Sequence, residues 1–378
     1  MRKPTFAWCN AKRVQGLGLI EIMIALALGA IIMLGITEVA TQNSITRYEL
    51  ERTGRQIESA AYALRQIEND INSSAFWGEV GDNPRWSPTM PSLPALAATG
   101  LPPVCAGMNT DADDAAGELW YTVGFPVQGQ EATVGGSAEC LSDVKAGSGF
   151  LAVRRASSCA LEAVATNCDP QGNDFHVQVN ACFDPTDGTR LPGDLYIAPG
   201  NALSALSGET RECDGTLAPR YRVLSRVYYV RSDPGNPDCE PDPSAVEECD
   251  QLMRVQLSGS TYGDPVALVE GVELLRFEYG LDNVGDGQVD EIISTPLGAA
   301  WSDVVMVRIQ MIVRNLQASA GYEDDRVYRL AGSTYCVAEA DGGSDCDVTI
   351  PDSLKNHRRQ LYTRTVSLRN VAGRREEQ

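Results

Sequence analysis

Between Leu17 and Thr37 the chain runs for 21 residues with a single charge, Glu21, behind a basic flank of Lys12 and Arg13. At about 1.5 Å per residue, a run of that length crosses the apolar core of a bilayer as one helix. A helix apolar on every side must be covered by lipid or by protein, so this segment limits the fold more than any other. Glu21 is the anomaly. An ionised carboxylate buried in lipid costs several kcal/mol, so an acid inside a membrane span calls for a partner and a function. A positive group at the same depth meets that need, and a new α-amino group at Leu17 would supply one.

Simpler accounts explain less. A cleaved secretory signal has a short apolar core followed by a small-residue cleavage site and polar sequence. Ala25-Leu26-Ala27 has the form of such a site but lies in the middle of the run. A plain signal anchor accounts for the length and the basic flank but not for Glu21. A buried helix of a soluble domain is seldom apolar for so long.

The segment Gly16-Leu17-Gly18-Leu19-Ile20-Glu21 resembles the processing motif of type IV prepilins and pseudopilins. Leu17 stands where Phe is usual, and Gly18 where Ser or Thr is usual. The resemblance implies cleavage between Gly16 and Leu17 by a prepilin peptidase, N-methylation of Leu17, and a role for Glu21 in assembly.

The 378 residues carry a net charge of −20, and loss of Met1–Gly16, with its four cations and no acid, would take this to −24. Phosphate binding relies on Lys and Arg, so the acidic balance argues against nucleic acid as a partner. It argues equally against docking on an anionic membrane face. Of eleven cysteines, Cys9 falls in the leader and ten lie in the body. An even number in an exported chain reads as a disulfide framework. No two are spaced C-x-x-C and the only histidines are His176 and His357, which disfavours zinc and thioredoxin-like centres. Cys159/Cys168, Cys239/Cys249 and Cys336/Cys346 are candidate local pairs, each closing a loop of about ten residues. Cys105, Cys140, Cys182 and Cys213 remain, with three ways to pair.

Past Thr37 the helical period continues. Ile45, Tyr48, Ile57, Ala60, Ala61, Leu64, Ile67 and Ile71 recur at helical steps among Glu and Arg. One helix over Leu17–Ser73, roughly 85 Å long, is predicted, with Gly54 as a weak point. From Asp82 to Val104 six prolines exclude helix and central strand. The body then alternates apolar and polar residues between Gly, Pro and Asp turns, as half-buried antiparallel strands do. Predicted strands are Glu118–Phe125, Gly149–Arg155, Phe175–Phe183, Asp194–Ala198, Tyr221–Arg231, Leu252–Leu257, Val272–Tyr279, Val304–Val313 and Leu361–Leu368. The acidic, Pro-rich Ser232–Glu248 is expected to be a loop. The expected divisions are a leader (1–16), the membrane half (17–39) and amphipathic half (40–73) of the helix, a Pro-rich connector (74–104), a cysteine-rich part (105–220) and a C-terminal β part (221–378). The fold class is α+β, a long helix packed on antiparallel sheet.

Tyr228-Tyr229-Val230-Arg231, Leu268-Val269-Glu270-Gly271-Val272-Glu273, Phe277-Glu278-Tyr279-Gly280, Trp301 and Thr365-Val366-Ser367-Leu368-Arg369-Asn370 follow in that order. Their succession resembles the PilW-type minor pilins of type IV pili. The Glu-Gly-Val…Phe-x-Tyr portion is also similar to the J-type pseudopilin of type II secretion. The resemblance covers the N-terminal helix and about Tyr221–Asn370, and leaves the middle unread.

Chemistry-bearing constellations are few. Asp282, Asp286 and Asp290, with the Gln288 carbonyl, have the outline of a calcium loop. Val284 stands where a third side-chain oxygen is expected and Ile293 where a bidentate Glu belongs, which favours a plain Asx/Gly hairpin turn. No other cofactor is expected. Nucleophile-elbow, Walker and dinucleotide motifs are missing, so catalysis finds no foothold. His176 and His357 read as structural or surface residues. Arg358, Arg359, Arg364, Arg369, Arg374 and Arg375 give the C-terminus a basic bias that a pilin could use to bind DNA or an acidic neighbour, but the simpler reading is solvent-facing charges that balance an acidic body.

The expectation is therefore a non-enzymatic filament subunit. Its precursor would span the inner membrane once, with the head in the periplasm, before entering a cell-surface pilus. The resemblance implies other minor pilins, the major pilin, the prepilin peptidase and the inner-membrane assembly machinery as partners. It also implies a tip complex that primes assembly and supports piliation, twitching motility and attachment. The alternatives are the J-type pseudopilin and, from a different class, a membrane-anchored periplasmic enzyme.

Overall fold

The computed structural model describes residues 18–78, 85–86, 103–105, 122–131, 140–161, 172–183, 193–233, 249–337, 346–350 and 352–376. The chain divides into two units, Met1–Gly54 and Arg55–Gln378. Helix α1 (Leu19–Asn72) begins in the first and ends in the second. The helix runs unbroken through Gly54, where one internal Gly costs about 1 kcal/mol relative to Ala. Thr37, Thr41, Thr46 and Thr53 turn their hydroxyls onto carbonyls four residues back, which accommodates them inside a helix. At the far end Ser74 Oγ donates to the Ile71 carbonyl, and Ala75 takes a left-handed φ of 59° that stops the helix.

In the second unit, Ala60, Ala63, Ile67 and Ile71 form one fully buried stripe at helical spacing. It packs in a single core with residues of two sheets, among them Val127, Leu151, Val153 and Tyr228 of one and Leu275, Phe277, Ile309 and Met311 of the other. Burial of each isoleucine there contributes roughly 1.5–3 kcal/mol.

Among the described residues the larger sheet has nine strands. Six follow the order β1 (Arg85–Trp86), β5 (Asp194–Pro199), β4 (Phe175–Val179), β6 (Arg220–Asp233), β3 (Gly149–Ala160), β2 (Val127–Glu131). From β6 branches β7 (Cys249–Ser258), which also pairs with β8 (Thr261–Tyr262) and β9 (Val266–Glu270). The second sheet runs β11 (Glu291–Ile293), β10 (Val272–Leu281), β12 (Val304–Arg314), β16 (Arg359–Ser367). A small third sheet joins β13 (Tyr328–Leu330), β14 (Ser333–Val337) and β15 (Val348–Ile350). A short helix, α2 (Arg369–Glu376), follows β16. Pairing is antiparallel except between β1 and β5 and between β14 and β15. The fold is α+β.

Several predicted strands shift. Within Glu118–Phe125 the described residues Thr122–Phe125 form a turn, closed by the Phe125 N–H on the Thr122 carbonyl at 2.9 Å. Pro126 has no N–H to give a ladder, so β2 starts at Val127 instead. The strand predicted to Phe183 ends at Val179. The Asn180 side chain takes over there, donating to the Cys182 carbonyl and accepting from the Glu209 N–H. The Pro-rich connector contributes a strand after all, the two-residue β1, at the sheet edge where proline neighbours are tolerated. Short β8, β9, β11, β13, β14 and β15 and the helix α2 were not predicted; none except β9 and β14 exceeds three residues among the strands.

Disulfides join Cys105 to Cys140, Cys182 to Cys213 and Cys336 to Cys346. Of the three possible arrangements of the four unassigned cysteines, the structure therefore adopts sequential pairing. Cys159 is disulfide-bonded too. Cys168 and Cys239 lie outside the described residues.

Candidate functional site

Gly16 and Leu17 lie outside the described residues, which begin at Gly18. Gly18 opens α1, its carbonyl accepting the Glu21 N–H at 3.0 Å, so Glu21 sits in the first helical turn where a carboxylate complements the helix dipole. The large apolar side chains from Leu19 to Ile36 are 48 to 79% exposed. This is the one helix among the described residues long and apolar enough to cross a membrane, and none of its apolar window is buried in the protein. Glu21 thus stands on a bare hydrophobic cylinder.

In the second unit the same helix is held by polar contacts as well as by its apolar stripe. Asp70 is buried 97%, with 3% exposed, and its carboxylate collects three donors. Arg155 of β3 reaches Oδ1 at 3.1 Å, Arg226 of β6 reaches the two oxygens at 2.9 and 3.0 Å, and the Tyr228 hydroxyl donates to Oδ2 at 2.6 Å. Burial, then the Asp70 charge, pushes the Tyr228 hydroxyl far above its ordinary pKa, so it stays a donor. The Gln56 amide donates to the Val313 carbonyl of β12, and Arg364 of β16 grips Glu68 with two bonds of 3.1 and 2.7 Å. Asp70 escaped the sequence reading. The available signal was an acid three residues after Ile67, on the buried stripe itself.

The acids of the calcium outline bond their own loop. Asp282 accepts the N–H groups of Gly285, Asp286 and Gly287, Asp290 accepts those of Asn283 and Val284, and Asp286 accepts that of Gln288. Arg375 adds its guanidinium to Asp282 at 3.3 Å. Burial pushes the Asp282 carboxyl up, but the Gly287 and Gly285 amides and Arg375 outweigh it and hold the group below its ordinary value. These bonds draw Asp282, Asp286, Gln288 and Asp290 into an Asx/Gly turn. Among the described residues no group of three or more His, Cys, Asp or Glu could hold a metal.

Two of the C-terminal arginines, Arg359 and Arg375, are not the solvent-facing charges expected, while Arg364 and Arg369 are. Arg359 is buried, bonding Glu273 through Nε at 2.6 Å and Nη2 at 2.9 Å, and Asp324 at 3.4 Å. Glu273 also faces Arg314 at 3.2 Å. Arg375 ties α2 to the Asp282 and Ser302 carbonyls and to Asp303. Arg358 does face solvent, its guanidinium 4.4 Å above the Tyr322 ring. Both histidines are structural. His176 is buried in β4 with Nδ1 against the Asp174 carbonyl, and burial lowers its pKa. His357 is buried beside Arg314 and Arg359, and desolvation followed by those two cations takes it down to about 4. Neither is a general base in an open cleft.

The family described as Type IV Pilus-assembly protein W matches residues 227–370, and the prokaryotic N-terminal methylation motif matches residues 11–37. Among solved structures a type IV-like pilin from Thermus thermophilus is similar, at 8% identity, covering 59% of this chain and 78% of that one with a TM-score of 0.21. None of the curated proteins matches the chain.

Proposed function

We propose that this chain, a PilW-type minor pilin on the strength of its two matched stretches, primes assembly of a type IV pilus as part of a tip complex. The observation that carries the reading is α1: an apolar, unburied first half whose first turn bears one acid, continuing into a helix locked to a β-rich body. The apolar half anchors the precursor in the inner membrane with Lys12 and Arg13 inside and the head in the periplasm. Cleavage between Gly16 and Leu17 by a prepilin peptidase frees the Leu17 amine, which is then methylated. In the filament Glu21 pairs with the amine of a neighbouring subunit, offsetting the cost of its burial and setting subunit register. Other minor pilins, the major pilin and the inner-membrane assembly machinery are its partners, and piliation, twitching motility and attachment depend on it. The role is structural rather than enzymatic.

Mass spectrometry of the mature N-terminus tests the class, with N-methylated Leu17 expected and an intact Met1 sinking it. Glu21→Val tests the mechanism: processing continues while incorporation into pili drops, and normal piliation in that variant refutes the pairing. Deletion of the gene is expected to remove pili and leave exoprotein secretion intact. The reverse pattern assigns the chain to type II secretion.

A further inference from the structure

β16 is the outer strand of the four-stranded sheet, and among the described residues no strand pairs with its outward edge. Its pairing with β12 keeps register through nine consecutive residues, Arg359 to Ser367, whereas β10 with β12, β3 with β6, and β7 with β9 all contain register shifts. The hydrogen-bonding phase follows from the two ends. The Leu368 N–H bonds the Val305 carbonyl and the Asn315 N–H bonds the Arg358 carbonyl. Antiparallel alternation then directs the backbone groups of residues 360, 362, 364 and 366 to β12, and those of 359, 361, 363, 365 and 367 outward. The outward Arg359 carbonyl is capped by Arg326 Nη2 at 2.8 Å. Beyond it, no backbone group of the described residues bonds the edge at Leu361, Thr363, Thr365 or Ser367. The side chains of Thr363, Thr365 and Ser367 are exposed.

Natural edges of this length are normally blunted by a bulge, a proline, an inward charge or a covering segment, since a flat row of unpaired N–H and C=O groups recruits another strand. β16 has no bulge and no proline, and its buried charge, Arg359, lies at its first residue, outside the row from Leu361 to Ser367. Its chemistry also departs from the rest of the chain. From Ser353 to Arg375 there is no Asp or Glu, in a protein of net charge −20, and exposed Arg358 and Arg369 flank the open row at its two ends. The geometry points to β16 as a docking strand that takes an extended, acidic β-segment from a neighbouring subunit of a different kind, adding it as a fifth strand beside Leu361–Ser367. Main-chain bonds supply the register and the flanking arginines select for acid. A second copy of this chain would bring a like-charged basic strand edge to edge with the first. Duplex DNA would satisfy the arginines but not the alternating amides.

The proposal rests on the filament reading, so its test uses full-length mature chain in detergent whose methylated N-terminus has already been verified. The other minor pilins and the major pilin of the same organism are added one at a time, and amide exchange is read at single-residue resolution. With one of them, the amides of Leu361, Thr363, Thr365 and Ser367 are expected to slow at least about tenfold, while those of Tyr362, Arg364 and Val366, already bonded to β12, change little. No alternating protection with any pilin overturns the proposal. So does protection produced by raising the concentration of this chain alone, or by duplex DNA. Thr363→Glu and Thr365→Glu are expected to weaken the complex at least about tenfold without altering the melting of the free chain, while Thr365→Lys keeps it. Equal binding by the Glu and Lys variants removes the acidic partner from the proposal.

Discussion

Asp70 shows how one side chain can decide whether a helix stays seated. Its carboxylate is the shared acceptor of Arg155, Arg226 and Tyr228, and among the described residues no second acid pairs with them. Asp70→Ala is expected to cost about 3 kcal/mol, because it leaves two partly buried cations and a phenol without their acceptor. Urea denaturation checks this, and a change under about 0.5 kcal/mol removes Asp70 from the account. His357 gives a pH signature. Its folded pKa, about 4, lies below the ordinary 6.5. Below pH 6.5 the unfolded chain therefore binds a proton that the folded chain refuses, and stability falls as pH drops from 6.5 toward 4. Buried Asp250 works in the opposite sense. Burial raises it to about 6 despite Lys145 at 2.6 Å, so the folded chain holds that proton and stability falls as pH rises through 6. The two overlap, so the expected result is a difference: His357→Gln melts with a flatter loss between pH 6.5 and 4 than the parent chain.

At the scale of elements, close approach between the two sheets is the sharpest constraint. A Cβ on Gly129 of β2 would lie 2.0 Å from Tyr279 Oη and 2.8 Å from the Phe150 carbonyl oxygen. Tyr279 of β10 cannot retreat, being buried edge-on to Trp301 with ring centroids 4.6 Å apart. Gly129→Ala is expected to destabilise by roughly 1–3 kcal/mol. Gly54 in α1 has nothing within 4 Å of its notional Cβ. Gly54→Ala should therefore stabilise by up to about 1 kcal/mol, through better helix propensity. Thermal melts of the two variants test the contrast, and equal effects would defeat it.

At the scale of the molecule, the body depends on part of the helix. A chain starting at Arg55 keeps the stripe of Ala60, Ala63, Ile67 and Ile71 and is expected to melt cooperatively; one starting at Phe76 loses it and is expected not to. Circular dichroism melts decide between them. The sequence by itself determined the membrane-length apolar run, the amphipathic stripe beyond it and the long central strands β3, β6, β10 and β12, because each is a local periodicity written into consecutive residues. It also placed Glu21 where its chemistry demands attention, since one charge in 21 apolar residues needs no fold to be noticed. Only the tertiary structure decided the rest. Cys105 meets Cys140 and Cys182 meets Cys213 through sheet topology that spacing does not encode. Arg359 went inside because Glu273, 86 residues away, is buried beside it. A charge pattern in the sequence specifies neither which partner a residue meets nor whether water stays between them. Long-range pairing alone settles that.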